Sequence, residues 1–466
     1  MARKFIALSE LVITDINNGV RQQGEKMTSL RTFASQHKVS MSTAIRTYEE
    51  LQDKGFLVAQ AKSGFYICKP SYTNNHIDFA QFNSEIKPPK RIGDSASLTL
   101  NTMLSTAQVT PEFMPTQRLT KFVKQAFDSP QLHHFHYPNA KGLTALKDSI
   151  ENHFKQKGLA IKSEQLVVTS GCIQAVMAAL KAVTVAGDCV VVSSPCYQGL
   201  LQLLGALGLN VIEIPSTPEG LDLAELERVV KELPVSACLI TANHQNPTGH
   251  NLSITQKKWL AQFASDNQLV IIEDDVFGEL SHNHTMPLPI KAWDKDGYVI
   301  WCSSVSKTLA PGLQVGWCEA GRYKNQVSRV LQAFHGIPNP CLQLAVSRFI
   351  ETGHYQRHLR ELNRVLASQC HAYRDYLKLH LPSTCKISSP RGGMALWLKL
   401  PNIDCEQLVV YMATLGVEIR PGSAFTSRDL YQDHLRINCG WPLAQVRPWL
   451  DKLCDYVLHN FAKLPR

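Results

Sequence analysis

A lysine flanked by small hydroxyl residues follows an apolar run in the second half of the chain. Residues 298–301 (Tyr-Val-Ile-Trp) predict a short buried strand, and Cys-Ser-Ser-Val-Ser-Lys follows at 302–307. In open α/β sheets, ligands bind at the carboxyl ends of the strands. The amine of Lys307 can bond to an aldehyde, and the hydroxyl of Ser304 can bind a phosphate. Taken alone the signal is weak, because a lysine beside serines is more often a solvated surface residue.

A second apolar run ends in a turn suited to an anion. Residues 165–169 predict a strand, Ser-Gly-Cys follows at 170–172, and a helix is predicted for 173–182. Backbone N–H groups and the dipole at a helix N-terminus attract phosphate. Gly171 and Cys172 are therefore candidate phosphate-binding residues.

Three more strand ends carry an aromatic, an amide and a carboxylate. The apolar run 188–192 leads to Tyr197, whose ring can stack on a flat ligand, although a core tyrosine is the commoner outcome. Further along the chain, Asn246 and Asp274 follow two other apolar runs. Three consecutive acids at 273–275 after a buried strand are costly unless a cation or a polar ligand meets them.

Together these strand ends supply the groups that pyridoxal phosphate requires. A carboxylate at the pyridine nitrogen keeps the ring electron-withdrawing, an amide contacts the ring oxygen, and a lysine carries the aldehyde. From Leu119 onward, predicted strands and helices alternate. This alternation predicts an α/β domain with a mostly parallel sheet and helices on both faces.

In order and spacing, residues 115–460 resemble the fold-type I aminotransferases, which implies a smaller C-terminal α+β subdomain and pyridoxal 5'-phosphate as cofactor. The resemblance implies that Lys307 forms the aldimine, Asp274 contacts the pyridine nitrogen, Asn246 contacts the ring oxygen and Tyr197 stacks on the ring. It implies that the phosphate is bound by Gly171, Cys172 and Ser304, and by Tyr137 from the partner subunit. It also implies that Arg436 binds a substrate or effector carboxylate through two hydrogen bonds.

Two positions depart from the pattern of these relatives. Phe277 replaces a tyrosine that would hydrogen-bond the ring oxygen, and Gln314 replaces an arginine that would pair with the phosphate. Loss of a charge-assisted pair costs on the order of 1.5–3 kcal/mol, roughly ten- to a hundredfold in affinity. Loose cofactor binding, or a pocket that has changed to another anion, is expected.

The N-terminal segment has a different character. Residues 1–70 contain ten lysines and arginines against six acidic residues, a net charge of +4. Apolar spacing predicts helices over 6–16, 30–36 and 43–54, followed by strands at 56–59 and 65–68. Two short helices joined by a few residues, then a hairpin, are typical of a winged helix-turn-helix.

In this geometry the second helix of the pair enters the major groove of double-stranded DNA. Its N-terminal residues Ser42, Thr43 and Arg46 are candidates to face bases or phosphates. Candidate contacts outside that helix are Arg31 and Lys62 to the backbone and Gly64 in the wing. The alternative is that the hydroxyl residues only cap the helix. Residues 27–67 resemble the GntR-type winged helix, although Met41 occupies the place of an arginine common in that group.

The predicted organisation is a DNA-binding domain at 1–69, a linker at 70–110 and an aminotransferase-like domain at 111–466. This fusion resembles the MocR family of bacterial regulators. The resemblance implies a head-to-tail homodimer that binds DNA, senses pyridoxal phosphate or an amino-acid effector, and retains only residual catalysis. Alternatives are an active aminotransferase with an accessory domain, and a regulator that no longer binds the cofactor.

Composition limits the remaining classes. No long uncharged apolar run or signal peptide is present, so a cytoplasmic protein without a membrane partner is expected. Thirteen cysteines without a Cys-x-x-Cys pair indicate neither a disulfide framework nor a zinc site. The histidines at 133, 134 and 136 lack metal-ligand spacing, so no metal is predicted.

Overall fold

The chain divides into two units, Met1–Asn75 and His76–Arg466, each with its own hydrophobic core. The computed structural model describes residues 2–17, 20–53, 56–60, 63–68, 79–88, 100–129, 142–217, 220–334 and 338–461. Of the helices in these ranges, none has both the length and the apolar composition needed to span a bilayer.

The first unit contains three helices and an antiparallel hairpin in its described part. They are α1 (Ala2–Asn17), α2 (Leu30–Gln36), α3 (Met41–Asp53), β1 (Leu57–Gln60) and β2 (Gly64–Ile67). Ser29 caps α2, because its hydroxyl accepts the Thr32 N–H at 3.1 Å. Gly64 opens β2 with φ of +109°, a conformation that favours glycine.

Aromatic side chains join the helices of this unit to its hairpin. The ring of Tyr48 on α3 meets Phe33 on α2 edge-on at 5.0 Å and Phe65 on β2 at 5.1 Å. Val12 and Ile16 on α1 are fully buried in the same cluster. The unit therefore has a core of its own that fixes α3 against the hairpin.

The second unit is built on a mixed sheet. Within the described residues its strands are β3 (Ile86–Lys87), β4 (Leu166–Thr169), β5 (Cys189–Ser194), β6 (Asn210–Thr217), β7 (Gly220–Leu221), β8 (Val235–Ile240), β9 (Val270–Asp274), β10 (Val299–Ser304) and β11 (Gly316–Glu319). Their order is β3-β6-β5-β8-β9-β10-β11-β4, with β7 beside β6. Strands β6, β5, β8, β9 and β10 pair in parallel, whereas β3, β7 and β11 run antiparallel to their neighbours.

Both faces of this sheet are covered. Successive side chains of a strand point to opposite faces, and Val191 on β5 joins one core cluster while Val190 and Val192 join the other. Burial on both faces explains why the strands read as continuous apolar runs. The helices of the unit are α4 (Thr116–Phe127), α5 (Thr144–Gln156), α6 (Cys172–Val183), α7 (Gln198–Ala206), α8 (Leu223–Glu232), α9 (Ile254–Asp266), α10 (Lys324–Ala333), α11 (Pro340–Glu351), α12 (His354–His380), α13 (Cys405–Thr414) and α14 (Leu443–Phe461).

A smaller antiparallel sheet forms the C-terminal subdomain. Its strands are β12 (Lys386–Ile387), β13 (Ala395–Lys399), β14 (Arg420–Pro421) and β15 (His434–Asn438), in the order β12-β13-β15-β14. Helices α12, α13 and α14 contribute to the core over this sheet. The structure thus contains the smaller α+β subdomain that the sequence predicted.

The described parts of the predicted linker 70–110 are not a free tether. Residues 86–87 form β3 and pair with β6, and Leu104 is fully buried in the core of the C-terminal subdomain. Asn101 also forms a bridge to Val417. The correction has a physical cause: these residues are fixed by partners more than a hundred positions away, which local periodicity does not register.

Eleven of the thirteen cysteines are buried. The two that are partly exposed are Cys68 in the first unit and Cys385 in the second. This distribution agrees with the absence of paired cysteine spacing in the sequence.

A buried carboxylate fixes the segment that follows β9. Glu279 receives hydrogen bonds from His153 Nε2 at 2.6 Å and from the Tyr355 hydroxyl at 2.7 Å, and Lys157 Nζ lies 3.2 Å away. Burial alone would raise the pKa of Glu279, but the charges of His153 and Lys157 and these hydrogen bonds outweigh it and hold the pKa at about 2. The contact ties α5 and α12 to the turn beyond Asp274.

Removal of this carboxylate should reduce stability in a pH-dependent way. A pKa that is depressed in the folded state contributes stability above the unfolded pKa, and the contribution is lost as pH falls from about 4.5 to about 2. We expect Glu279→Gln to lower the unfolding free energy by about 3 kcal/mol at neutral pH and by much less near pH 3. Urea unfolding at several pH values measures this. Glu227→Gln, an exposed carboxylate on α8, is the control; an equal effect of both variants would contradict the prediction.

Candidate functional site

The candidate site lies at one edge of the large sheet, where the parallel strands end. Gly171 follows β4, Tyr197 follows β5, Asn246 follows β8, Asp274 ends β9 and Lys307 follows β10. Strands that run in the same direction bring their carboxyl ends to one edge. The topology therefore places these five residues at a common edge, as the sequence predicted.

The amine of Lys307 lies in a cationic and largely dehydrated environment. Its Nζ donates a hydrogen bond to the Ala107 carbonyl at 2.7 Å and lies 5.9 Å from the centroid of the Phe277 ring. Burial and the positive charge of Arg436 lower the pKa of Lys307 to about 8, while Asp274 opposes the shift. A lysine with this pKa is a better nucleophile near neutral pH than an exposed lysine.

Asp274 is buried and is held through one of its two oxygens. The Cys172 thiol donates to Oδ1 at 3.2 Å, and the Val276 N–H donates to the same atom at 3.2 Å. Burial raises the pKa of Asp274, and these hydrogen bonds and the charge of Lys307 act in the opposite direction. The protonated pyridine nitrogen of a bound cofactor would supply a cationic donor, which favours the ionised form of Asp274.

The turn after β4 leaves room for an anion. Gly171 has φ of +108°, and a side chain built there would meet no atom within 4 Å. On its other side the turn packs tightly, since a Cβ at Gly316 would lie 2.6–2.7 Å from the Gly171 backbone. In β10, Ser304 pairs with Gly316, so the hydroxyl residue and the turn are neighbours. The Ser304 hydroxyl bonds to Ser306 Oγ at 2.6 Å.

Two buried polar side chains at this edge lack partners. Asn246 Oδ1 has no hydrogen bond, and neither do Nε and Nη1 of Arg436, although Arg436 Nη2 donates to the Ser105 carbonyl. Arg436 is only 3% exposed. Burial lowers the pKa of Arg436 to about 10, Tyr197 opposes that shift, and Arg420 adds to it. Unsatisfied buried donors on a guanidinium fit a carboxylate ligand, and the unsatisfied Oδ1 of Asn246 is an acceptor that fits a donor group.

The ring of Tyr197 packs over the first turn of α7. A Cβ at Gly199 would lie 2.6 Å from Tyr197 Cε1, so only glycine allows this approach. Tyr197 is half-buried and is among the residues that act on the pKa of Arg436. The predicted stacking residue is therefore next to the predicted carboxylate-binding residue.

The remaining positions that the sequence linked to the cofactor are Tyr137, Phe277 and Gln314. Tyr137 lies outside the described residues. Phe277 is 6% exposed, so an apolar ring occupies the place where relatives of this pattern carry a hydroxyl. Gln314 is exposed with φ of +47°. In the described residues, no group of three or more histidine, cysteine or acidic side chains could hold a metal ion.

The backbone of residues 103–110 also contributes to the site, a contribution that the residue types did not predict. Carbonyls of this segment accept hydrogen bonds from Lys307, Arg436 and Asn438. Backbone acceptors have no residue-type signal, because any amino acid supplies them. The segment was therefore assigned to the linker.

The first unit presents only part of its predicted DNA-binding set. Arg31, Ser42 and Gly64 are exposed. Thr43 is a correction: it is 8% exposed, and its N–H and hydroxyl both bond to Ser40 Oγ, the cap of α3, so it does not face outward. The half-buried Arg46 lies over the Phe5 ring at 5.9 Å.

One predicted contact lies outside the described residues, and two exposed lysines were overlooked. Lys62 falls in a part of the chain that is not described. Lys26, over the Tyr66 ring of β2 at 5.9 Å, and Lys38, between α2 and α3, are exposed. Each of these two lysines precedes a predicted helix by a few residues, so its positive charge was the only indication of a role in DNA binding.

The groups gathered at the sheet edge fit pyridoxal phosphate. A nucleophilic lysine, a buried aspartate, an orphaned amide, an open glycine turn and a flat aromatic ring correspond to its aldehyde, ring nitrogen, ring oxygen, phosphate and ring face. Each of these groups is present here in kind.

Sequence comparison identifies similar proteins along the whole chain. The family described as aminotransferase class I and II matches residues 107–453. The Escherichia coli (strain K12) protein YjiR, named an uncharacterized HTH-type transcriptional regulator, is 31% identical over 95% of this chain and 96% of its own. YdcR of the same organism, with the same description, is 30% identical over 94% of this chain and 95% of its own.

Solved structures agree with the family match. A multiple substrate aminotransferase from Thermococcus profundus superposes with a TM-score of 0.73 at 23% identity, over 79% of this chain and 94% of that one. Pyrococcus horikoshii kynurenine aminotransferase, solved with PMP, gives 0.70 at 26% identity, over 76% of this chain and 90% of that one. The family and its structural neighbours indicate pyridoxal phosphate as the cofactor. The chain therefore belongs to the class I and II aminotransferases, and within them to the MocR type, in which an HTH-type regulator carries an aminotransferase-like domain.

Proposed function

We propose that this protein is a DNA-binding transcriptional regulator that binds pyridoxal phosphate through Lys307 and an amino-acid effector through Arg436. One observation carries the proposal: a buried guanidinium with two unsatisfied nitrogens lies near a lysine whose pKa is lowered to about 8. An α-amino acid carries its amine and its carboxylate on one carbon, so the amine would take the place of the Lys307 amine on the cofactor aldehyde while the carboxylate pairs with Arg436.

Each residue of the site would then have one task. When bound, pyridoxal phosphate supplies an exchangeable aldehyde and an electron-withdrawing ring. Lys307 provides the amine that bonds to the aldehyde carbon, and Asp274 holds a proton at the pyridine nitrogen. Asn246 donates to the ring oxygen, Tyr197 covers the ring face, and Arg436 orients the effector carboxylate.

The phosphate would bind at the turn after β4. The N–H groups at Gly171 and Cys172, with the Ser304 hydroxyl, are the donors available for it in the described residues. Gln314 adds no charge at this position, and Phe277 adds no hydroxyl. The pocket thus has fewer charge-assisted contacts than the family pattern supplies, which favours reversible occupancy and suits a sensor better than an efficient enzyme.

The first unit supports the DNA-binding half of the proposal. Its order of three helices and a hairpin, with the capped helix α3 after a short turn, matches a winged helix-turn-helix. Exposed basic residues at Lys26, Arg31 and Lys38 supply charge for phosphate contacts. We also propose that the whole protein acts as a homodimer with its subunits head to tail, and that Tyr137 of each subunit completes the phosphate site of its partner.

Lys307→Ala should abolish covalent cofactor binding. Wild-type protein mixed with pyridoxal phosphate should develop the visible absorbance of the lysine-bound cofactor, and the variant should not. Because the neutral amine is the nucleophile, the rate in wild type should rise about tenfold per pH unit below a pKa of about 8 and level off above it. Lys295→Ala, an exposed lysine of the same unit, should behave as wild type. An unchanged band in Lys307→Ala would refute the assignment.

Arg436→Met should remove discrimination in favour of carboxylates. With cofactor-loaded wild type, L-alanine should change the visible spectrum at concentrations roughly ten- to a hundredfold lower than ethylamine, which lacks the carboxylate. In the variant the two ligands should become similar, while the spectrum without ligand stays as in wild type. Equal preference for L-alanine in both proteins would exclude Arg436 as the carboxylate site.

Arg31→Ala should weaken DNA binding and its dependence on salt. Loss of one phosphate contact is expected to reduce the slope of log affinity against log salt by about 1. Fluorescence anisotropy with DNA from upstream of the protein's own gene, at several salt concentrations, measures this. Arg329→Ala removes the same charge from α10 of the other unit and should leave the slope unchanged.

Appreciable steady-state transamination that does not depend on DNA would favour an enzyme over a regulator.

A further inference from the structure

Residues 103–110, hereafter the strap, pass between two cores of the second unit. Leu104 is fully buried in the core of the C-terminal subdomain, whereas Ala107 and Val109 belong to the core of the large sheet. Backbone hydrogen bonds fix its course: the Asn438 N–H donates to the Leu104 carbonyl and the Thr110 N–H to the Gly440 carbonyl, both at 2.9 Å.

The middle of the strap is held by the two basic groups of the site. Lys307 Nζ donates to the Ala107 carbonyl at 2.7 Å, and Arg436 Nη2 donates to the Ser105 carbonyl. Both carbonyls belong to buried residues, Ser105 at 1% and Ala107 at 8% exposure. A hydrogen bond from a charged donor in such a place is among the stronger ones in a protein.

The shoulders of the strap are held by residues with no part in ligand binding. Asn438 Nδ2 donates to the Met103 carbonyl at 2.8 Å and to the Gln108 carbonyl at 3.1 Å. Gly440 lies so close that a Cβ there would collide with the Gln108 carbonyl oxygen. The shoulders thus stay anchored whatever happens at Lys307 and Arg436.

The strap and the ligands would use the same hydrogen-bond donors, the side chains of Lys307 and Arg436. A lysine nitrogen bonded to the cofactor aldehyde would keep at most one N–H in place of the three of the free ammonium group, so it would be a poorer donor to the Ala107 carbonyl. Each two-pronged arrangement of a carboxylate on a guanidinium uses one N–H of Nη2, the nitrogen that also serves Ser105. Aldehyde capture therefore removes or weakens the contact to Ala107, whereas carboxylate capture leaves Arg436 Nη2 one N–H for Ser105.

We propose that the strap is the ligand-responsive element of this protein: capture of an aldehyde by Lys307 frees the Ala107 carbonyl and loosens residues 103–110. The inference rests on the proposed function and names how that site is regulated. In sequence, the strap lies between the basic residues of the site and the unit Met1–Asn75. Its release changes the segment through which the chain reaches that unit.

Hydrogen exchange of the full-length protein, read by mass spectrometry on peptides that cover 101–110, tests this directly. In cofactor-free wild type the strap amides should be protected. Addition of pyridoxal phosphate should accelerate their exchange by about tenfold, since one charge-assisted hydrogen bond is lost. The visible spectrum of the same sample shows whether the cofactor has bound.

Two variants separate the strap from other effects. Lys307→Ala without cofactor should already exchange at the faster rate and should not respond to pyridoxal phosphate, while Lys295→Ala should match wild type. Gly440→Ala should displace the strap at Gln108 and accelerate exchange without any change to Lys307 or Arg436. Circular dichroism confirms that each variant is folded.

The outcomes are distinct. A visible cofactor band with unchanged or increased protection of 101–110 would overturn the strap mechanism and leave the proposed function intact. A protein that forms no band would overturn both. Acceleration in wild type that is absent in Lys307→Ala supports the mechanism.

Discussion

The site depends on two cations near each other, the buried Arg436 and the partly buried Lys307. Burial and the charge of Arg436 lower the pKa of Lys307 to about 8, and Arg436 itself keeps two nitrogens without a hydrogen-bond partner. Such an arrangement is costly unless a ligand or the backbone provides acceptors. The Ser105 and Ala107 carbonyls provide some of them. The course of the nearby backbone follows from this electrostatic requirement, and the proposed selectivity for an anionic ligand would have the same origin.

The scaffold keeps these cations near each other by joining the large sheet to the C-terminal subdomain. Glu213 on β6, 2% exposed, accepts hydrogen bonds from Ser194 Oγ at 2.6 Å and from Thr426 Oγ1 at 2.8 Å. The Cys196 N–H also donates to the Phe425 carbonyl at 2.7 Å. These contacts fix the end of β5, which leads to Tyr197, against the segment that leads to β15. The spacing between Tyr197 and Arg436 therefore rests on a buried carboxylate that touches neither.

Much of the site could be predicted from sequence because its side chains follow apolar runs directly. Burial on both faces makes the strands of the large sheet readable, and parallel pairing then brings the residues after them to one edge, as for Asp274 and Lys307. Thr43 was misplaced because the same hydroxyl chemistry suits a helix cap and a DNA contact, and only burial distinguishes them. The strap escaped prediction since its partners Lys307 and Asn438 are 200 positions or more away and bind its backbone.

The distribution of thiols has a practical consequence for measuring how the two units are arranged. Cys68 and Cys385 are the partly exposed cysteines, one in each unit, while the other eleven are buried. The natural chain thus offers one attachment point per unit for spin labels or fluorophores, and the distance between the labels can be followed as ligand is added. Burial raises the pKa of both thiols, that of Cys385 to about 11, so alkaline conditions would speed the labelling.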